Sequence, residues 1–390
     1  MFQKMLYTVV IAIAAFLLGG LFLPNDVHVE RAIYVDRPAV TVFTLLNGFR
    51  TFSEWSPWLE RDPDAAYTFS GPKQGVGAHM SWSGDPRMVG NGWQEITGSE
   101  PNRRVALHMS FENQGDADTA FRIDNAPGGG VNLTWTFDAD LSRGQGWLSG
   151  LLARYFGLFF DRWIGGDYER GLERFKVFAE SFPPADFAGL DVSIVDAKPM
   201  DVLYIAVDAG SATEDVAASL AAAYGRITAF MQARGIDRLA PPLAITRAWA
   251  PVGYEFDAAI PIVAPEDADV LSVEPEPQEA SPESTEVQSL PDTSDAAESD
   301  TQQVTVGTNE FRDIRFGHSP SGRAVRVVHR GPYAEMAPTY ARLAAWMAVH
   351  GMTEGHVSWE QYVSDPAETD PGDLLTYIYF LVGEETENPP

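Results

Sequence analysis

The longest apolar run comes first. Residues 5–23, MLYTVVIAIAAFLLGGLFL, carry no charge. About 20 such residues in a helix span the hydrocarbon core of a bilayer. The run is apolar on every side, unlike a helix that covers one face of a core. Residues 27–36, VHVERAIYVD, then alternate as a half-buried strand does. Residues 38–48, PAVTVFTLLNG, predict a short helix with Pro in its first turn and Gly at its end. Short β-type segments follow at 67–71, 76–83, 89–98, 103–112, 118–125 and 130–138, separated by Gly, Pro and Asn. Their spacing is that of an antiparallel meander. A long helix is predicted over 147–180. Its apolar positions include Leu151, Leu152, Tyr155, Phe159, Trp163, Ile164, Tyr168, Leu172 and Phe175. A boundary falls at 182–190, FPPADFAGL, so the first domain covers 27–182.

The second half contains an internal repeat. VLYIAVDAG (202–210) parallels AVRVVHRGPY (324–333), each a strand ending in Gly. SLAAAYGRITAFMQARGI (219–236) parallels EMAPTYARLAAWMAVHGM (335–352) at a constant offset. The offset pairs Leu220 with Met336, Tyr224 with Tyr340, Ile227 with Leu343, Phe230 with Trp346, Met231 with Met347 and Gly235 with Gly351. These steps of three and four predict two amphipathic helices closed by C-cap glycines. PPLAITRAW (241–249) then parallels GHVSWEQYV (355–363), and YEFDAAIPIV (254–263) parallels LTYIYFLV (375–382). Each copy reads strand, helix, strand, strand. Two such units side by side predict a pseudo-twofold sheet over 190–384, with both helices on one face and a ligand groove between the copies.

Between the copies lies residues 264–303, with twelve Asp or Glu, five Pro, no Lys or Arg and no aromatic residue. Such a segment cannot bury enough apolar surface to offset its ordering entropy, and a disordered acidic loop is expected. The whole chain has 55 acidic against 27 basic residues, a formal net charge of −28. That balance disfavours nucleic acid and anionic headgroups as partners. Cysteine is absent, which removes disulfides, thiol nucleophiles and Cys-ligated metals while permitting an oxidising compartment. Lys4 before the apolar run places the N-terminus in the cytoplasm by the positive-inside rule. The expectation is a single-pass anchor in a bacterial inner membrane with the bulk of the chain on the periplasmic side. The alternative is export after signal cleavage, although the run is long for a signal peptide and no A-x-A precedes Pro24.

Several pieces of the first domain carry a family resemblance in order: ERAIYVDRPAVTVFTLLNGFRTFSEWSPW, SGPKQGVGAHMSW, GNGWQEI, LTWTF and FFDRWIGGDYERGLERFKVFAES. Together they resemble the START-like polyketide cyclase superfamily, the SRPBCC group. The resemblance implies an α+β helix-grip fold, a curved antiparallel sheet holding a long C-terminal helix over a deep apolar cavity for hydrophobic ligands. Trp55, Trp58, Trp82 and Trp135 are the candidate cavity residues, with core or rim packing as the competing role; a further indole, Trp93, lies in the same domain. No Asp/His or Arg/Asp constellation stands out for a cyclase.

In the second domain HRGPY (329–333), the helix after it, WEQYVSDP (359–366) and LLTYIYFLV (374–382) resemble the GyrI-like effector-binding domain, here without a DNA-binding half. The resemblance implies an aromatic-lined pocket in which the strand Glu engages cationic, apolar ligands. That residue is Glu360; Thr246 holds its place in the first copy. A carboxylate among Trp359, Tyr362, Tyr377 and Tyr254 would be partly desolvated, and a lipophilic cation would offset that cost. Tyr333 and Tyr204 are further ligand candidates. A solvent-facing Glu360 is the competing reading.

Other chemistry is not marked. The seven histidines show no H-E-x-x-H or comparable spacing, and G-x-S-x-G and Walker A motifs are absent. No metal or cofactor is expected. The leading expectation is membrane-tethered binding or sensing of small apolar or lipophilic cationic molecules. A hydrolase or cyclase would use Glu360 with Tyr362 or Tyr377 as acid partner. A structural or interaction module would have closed pockets.

Overall fold

The computed structural model describes residues 2–112, 115–141, 146–210, 212–250, 253–264 and 311–383. The acidic loop expected at 264–303 lies, from residue 265 onward, outside the described residues. The described residues divide into two compact units, one within 2–190 with 337–353, the other within 191–336 with 354–382.

In the first unit, helix α1 (Phe2–Leu21) precedes strand β1 (Asp26–Val35) and three short helices, α2 (Ala39–Leu46), α3 (Phe52–Trp55) and α4 (Pro57–Arg61). A meander follows: β2 (Ala66–Ser70), β3 (His79–Ser83), β4 (Asn91–Glu100), β5 (Arg104–Phe111), β6 (Gly115–Asn125) and β7 (Val131–Asp140). It ends in α5 (Trp147–Glu180), the long helix at its expected bounds. The sheet runs β1-β7-β6-β5-β4-β3-β2, antiparallel throughout, so the first strand closes against the last.

Strand alternation sends Val131, Leu133, Trp135 and Phe137 of β7 inward, where they share a core with Tyr168, Leu172, Phe175 and Ala179 of α5. Glycine lets the helix approach this closely. A Cβ at Gly171 would stand 2.8 Å from the Trp135 ring. Ion pairs also join α5 to its neighbours. Arg31 of β1 donates to Asp161 at 2.9 Å and Glu169 at 2.6 Å, and this bond holds the Asp161 carboxyl below its ordinary range. Buried Asp167 accepts from Arg61 at 2.7 Å and also from Arg170, tying α5 to α4. Helix α7 (Met336–Val349) lies mostly within the span that groups with this unit. Its Arg342 donates to the carbonyls of Asp186 (2.8 Å) and Ala188 (2.7 Å).

The second unit contains β8 (Val192–Ala197), β9 (Asp201–Ala209), α6 (Thr213–Arg234), β10 (Leu243–Ala250), β11 (Gly253–Pro261), β12 (Arg315–His318), β13 (Gly322–Arg330), β14 (Glu354–Tyr362) and β15 (Leu375–Val382). They form one antiparallel sheet in the order β12-β9-β11-β10-β14-β15-β13-β8. The order is a palindrome of the two copies, meeting at the β10–β14 seam. The repeat glycines Gly235 and Gly351 both adopt φ near +65° (65° and 66°), as C-caps require.

Two strands lie outside the sequence reading, β8 and β12. Each precedes one copy in the chain but pairs with the other: β8 with β13, and β12 with β9. The copies therefore exchange their first strands. The connections after these strands meet, with Met200 N–H donating to Ser319 Oγ (2.9 Å) and Ser319 N–H to Met200 O (2.8 Å).

Candidate small-molecule site

The site is built on β14, next to the seam. Glu360 stands opposite Ala244 of β10 and Ile378 of β15. Ala244 leaves space beside the carboxylate on the first-copy side. Tyr362 lies two residues on and so points to the same face. Its hydroxyl donates to the Glu360 carboxylate. This is the face covered by α6, because Ala244, Phe256 and Ala258 on it share a core with Leu220, Ile227 and Phe230 of the helix.

Two further tyrosines close around the pair. Tyr224 of α6 sits edge-on to Tyr362, with ring centroids 6.4 Å apart. Its hydroxyl donates to the Leu243 carbonyl at 2.8 Å. Tyr333, in the turn after Gly331, meets the Tyr362 ring edge-on at 5.3 Å. The turn is possible because Gly331 adopts φ 121°. Burial raises the hydroxyl pKa of Tyr224 well above its ordinary value, and the charge of Glu360 and then Tyr333 add to the effect. Tyr333 is raised by burial first, then by Asp365 and Glu360. Tyr254 of β11 is half-buried on the same face. The arrangement is a carboxylate at one end of a set of tyrosine rings, drawn from both copies.

The expected ring of aromatics around Glu360 is only partly present. Trp359 precedes Glu360 and Tyr377 opposes Gln361, so strand alternation turns both to the other face. There Trp359 stacks on Tyr379 at 4.7 Å, and Arg326 lies 4.9 Å over the Tyr377 ring. Tyr204 of β9 packs with this second cluster as well. Trp359, Tyr377 and Tyr204 therefore do not line the Glu360 side of the sheet. Tyr224, expected only as a repeat position of the helix, does. Its signal was a hydroxyl on an otherwise apolar helical stripe.

In the first unit, three candidate indoles gather between sheet and helix. Trp55 and Trp58 each lie 5.7 Å from Trp135, which stacks on Tyr168 at 3.8 Å. Thr119 ties the group together. Its Oγ accepts from Trp135 Nε1 at 2.9 Å, meets the Tyr168 hydroxyl at 3.2 Å and donates to the Thr136 carbonyl. The rings fill the space that the resemblance assigns to a deep cavity. About 10 Å³ remains free among them, roughly one water. Trp82 lies elsewhere, edge-on to Phe111 with its Nε1 donating to Val89 O at 3.3 Å.

A roomier concavity of about 360 Å³ opens on the outer face of this sheet. Small residues Gly98, Ala106, Ala120 and Thr136 floor it, and Arg104, Asp118 and Asp138 flank it. Among the described residues, no three His, Asp or Glu side chains form a metal-binding group.

Comparison with known proteins agrees with this architecture. Residues 26–180 match the family model described as polyketide cyclase / dehydrase and lipid transport, and residues 281–382 match the GyrI-like small molecule binding domain. The second match contains β12–β15 and leaves the first copy outside it. No protein of curated function matches the sequence. Among solved structures, the chain is similar to the C-terminal domain of EcmrR (15% identity, TM-score 0.34, 50% of this chain and 98% of that one). It is also similar to a hydrolase from Listeria innocua (16%, TM-score 0.31, 50% and 92%). A third is the di-domain ARO/CYC StfQ from the steffimycin biosynthetic pathway (15%, TM-score 0.30, 40% and 52%).

Proposed function

We propose that the protein is a membrane-tethered binder of small apolar or lipophilic cationic molecules, and that the ligand sits against Glu360 on the α6 face of the second sheet. One observation carries this reading: the Glu360 carboxylate is half-buried among Tyr362, Tyr224 and Tyr333. A carboxylate taken partly out of water is stabilised by a cation brought to it, and tyrosine faces attract the same cation. Helix α1 supports the tether. Lys4–Leu21 is long and apolar enough to cross a bilayer, and Lys4 at its start orients the folded units outside the cytoplasm. A cleaved signal sequence would deliver them to the same side.

A hydrolytic reading rests on the bond from Tyr362 to Glu360, which joins a carboxylate to a proton donor. One experiment separates the two. The full chain and its Glu360→Gln variant in lipid nanodiscs are titrated with tetraphenylphosphonium, with protein-free nanodiscs reporting partition into lipid. Saturable binding above that baseline supports the binding reading; identical curves remove Glu360 from the site. Turnover of aryl esters that disappears in both Glu360→Gln and Tyr362→Phe would favour hydrolysis instead.

A further inference from the structure

The first half of α5 carries an apolar stripe that the protein leaves uncovered. Leu148, Leu152, Phe156, Phe159 and Trp163 step by four, four, three and four residues and are all exposed, Phe156 at 59% and Trp163 at 54%. Such steps put all five on one side of the helix. The other side of the same half-helix faces inward: Gly150 and Leu151 are buried and Phe160 packs on the core. Between Trp147 and Phe160 the only charged side chain is Arg154.

What lies beside this stretch identifies what covers it. Helix α5 packs on the end of α1. The Tyr155 ring stacks on Phe16 at 4.1 Å, and its hydroxyl donates to the Phe16 carbonyl. Arg154 donates to the carbonyls of Gly20 (3.3 Å) and Leu21 (3.5 Å), the last of α1. Glycines permit the approach, since a Cβ at Gly19 would lie 2.7 Å from Tyr155 Oη and one at Gly20 would lie 2.8 Å from Leu151. Phe16 is five residues before the end of α1, so Tyr155 sits about 7.5 Å short of that end at 1.5 Å per residue. The 18-residue apolar window Lys4–Leu21 spans about 27 Å, against a hydrocarbon core of about 30 Å. A helix that short cannot lift its last turns clear of the bilayer. Its partner helix is carried in with it, to the depth of about 5–10 Å at which amphipathic helices lie.

We propose that the first half of α5, residues 147–163, is a membrane-embedded interfacial helix whose Leu148–Trp163 stripe is covered by lipid acyl chains, seating the first unit on the bilayer beside its own anchor. The inference rests on the reading of α1 as a membrane anchor. The contact is apolar rather than electrostatic, since a chain of net charge −28 gains nothing from anionic headgroups. Charged Asp161 and Arg162 stand next to Trp163 at the end of the stripe, and Arg31 donates to Asp161.

The chain has no cysteine, so single replacements can carry a nitroxide in the full-length protein. Labels at Leu152→Cys and Phe156→Cys are compared with Val177→Cys, exposed on the same helix outside the stripe, and Ile11→Cys in α1. The samples are phosphatidylcholine nanodiscs, probed by collision with oxygen and with a water-soluble nickel chelate. The expected result is an oxygen-to-chelate ratio severalfold higher at 152 and 156 than at 177, unchanged by salt. Chelate exposure at 152 and 156 with oxygen exposure at 11 would overturn the inference and leave the anchor standing. Chelate exposure at all four sites would remove both. Lipid exposure at 152 and 156 with chelate exposure at 11 would leave the stripe docked and the anchor reading wrong. Protection from both reagents, with dipolar broadening between labels, would mean that a second copy covers the stripe and would also overturn the inference.

Discussion

Glu360 and Trp359 are consecutive residues of β14 that stand on opposite faces of the second sheet, one bonded to Tyr362 under α6, the other stacked on Tyr379. Their substitutions should therefore separate binding from stability. Glu360→Gln is expected to weaken a lipophilic cation at least tenfold, about 1.4 kcal/mol, with little change in Tm. Trp359→Ala removes a buried ring and should cost about 3–5 kcal/mol of stability while the folded fraction keeps its affinity. Calorimetric titration and chemical denaturation of the same two variants check both halves.

The tyrosines around Glu360 predict alkaline sensitivity. The hydroxyls of Tyr224 and Tyr333 have raised pKa values in the folded chain, both chiefly through burial, as does Tyr168 in the first unit. An acid that holds its proton more tightly when folded contributes stability that is complete below its unfolded pKa of about 10 and is lost as pH rises through the folded value. On the alkaline side Tm should hold up to about pH 10 and fall above it. Tyr224→Phe should make the fall shallower, while removing its bond to Leu243 O at a cost of about 1 kcal/mol at neutral pH.

Thr119 is the hub of the first unit's aromatic group. Thr119→Val keeps the shape but leaves the Trp135 indole N–H without its acceptor inside the core. A loss of about 1–3 kcal/mol is expected. Thr119→Ser restores the acceptor and should recover most of it. Denaturation followed by tryptophan fluorescence reads the difference, because Trp55, Trp58 and Trp135 share this cluster.

The exchange of β8 and β12 makes a local change act on the other copy. Deleting residues 192–197 should speed amide exchange along β13, at 322–327, and leave β9 protected, although β9 is the nearer strand in the chain. Exposure of β9 instead would show that the strands are not exchanged in solution. Ser319→Ala, which removes the acceptor of Met200 N–H, is expected to cost about 1 kcal/mol.

Much of the fold was legible because its elements have strong periods. The 147–180 helix, the meander before it and both copies of the repeat appear close to their expected bounds, and the paired glycines at 235 and 351 do cap their helices. β8 and β12 were not legible. They are short edge strands whose partners lie more than a hundred residues away, and nothing in VSIVDA or RFGH states which copy each will join. Among the aromatic residues expected around Glu360, Trp359 is its neighbour along the chain and Tyr377 lies on the next strand. Period-two alternation sends half of such neighbours to the far face, and a distant helix supplied Tyr224 in their place.

The sequence alone determined the order of two α+β units behind an apolar N-terminal run, the duplication of the second, and Glu360, set against Thr246, as one position at which the copies differ chemically. Those features follow from local periodicity and from identity at one position. Tertiary structure decided which rings meet that carboxylate, whether the tryptophans of the first unit line a cavity or fill it, and which copy each edge strand completes. Each depends on which surfaces come together when the sheets close, and side-chain volume and pairing register settle that only in the folded chain.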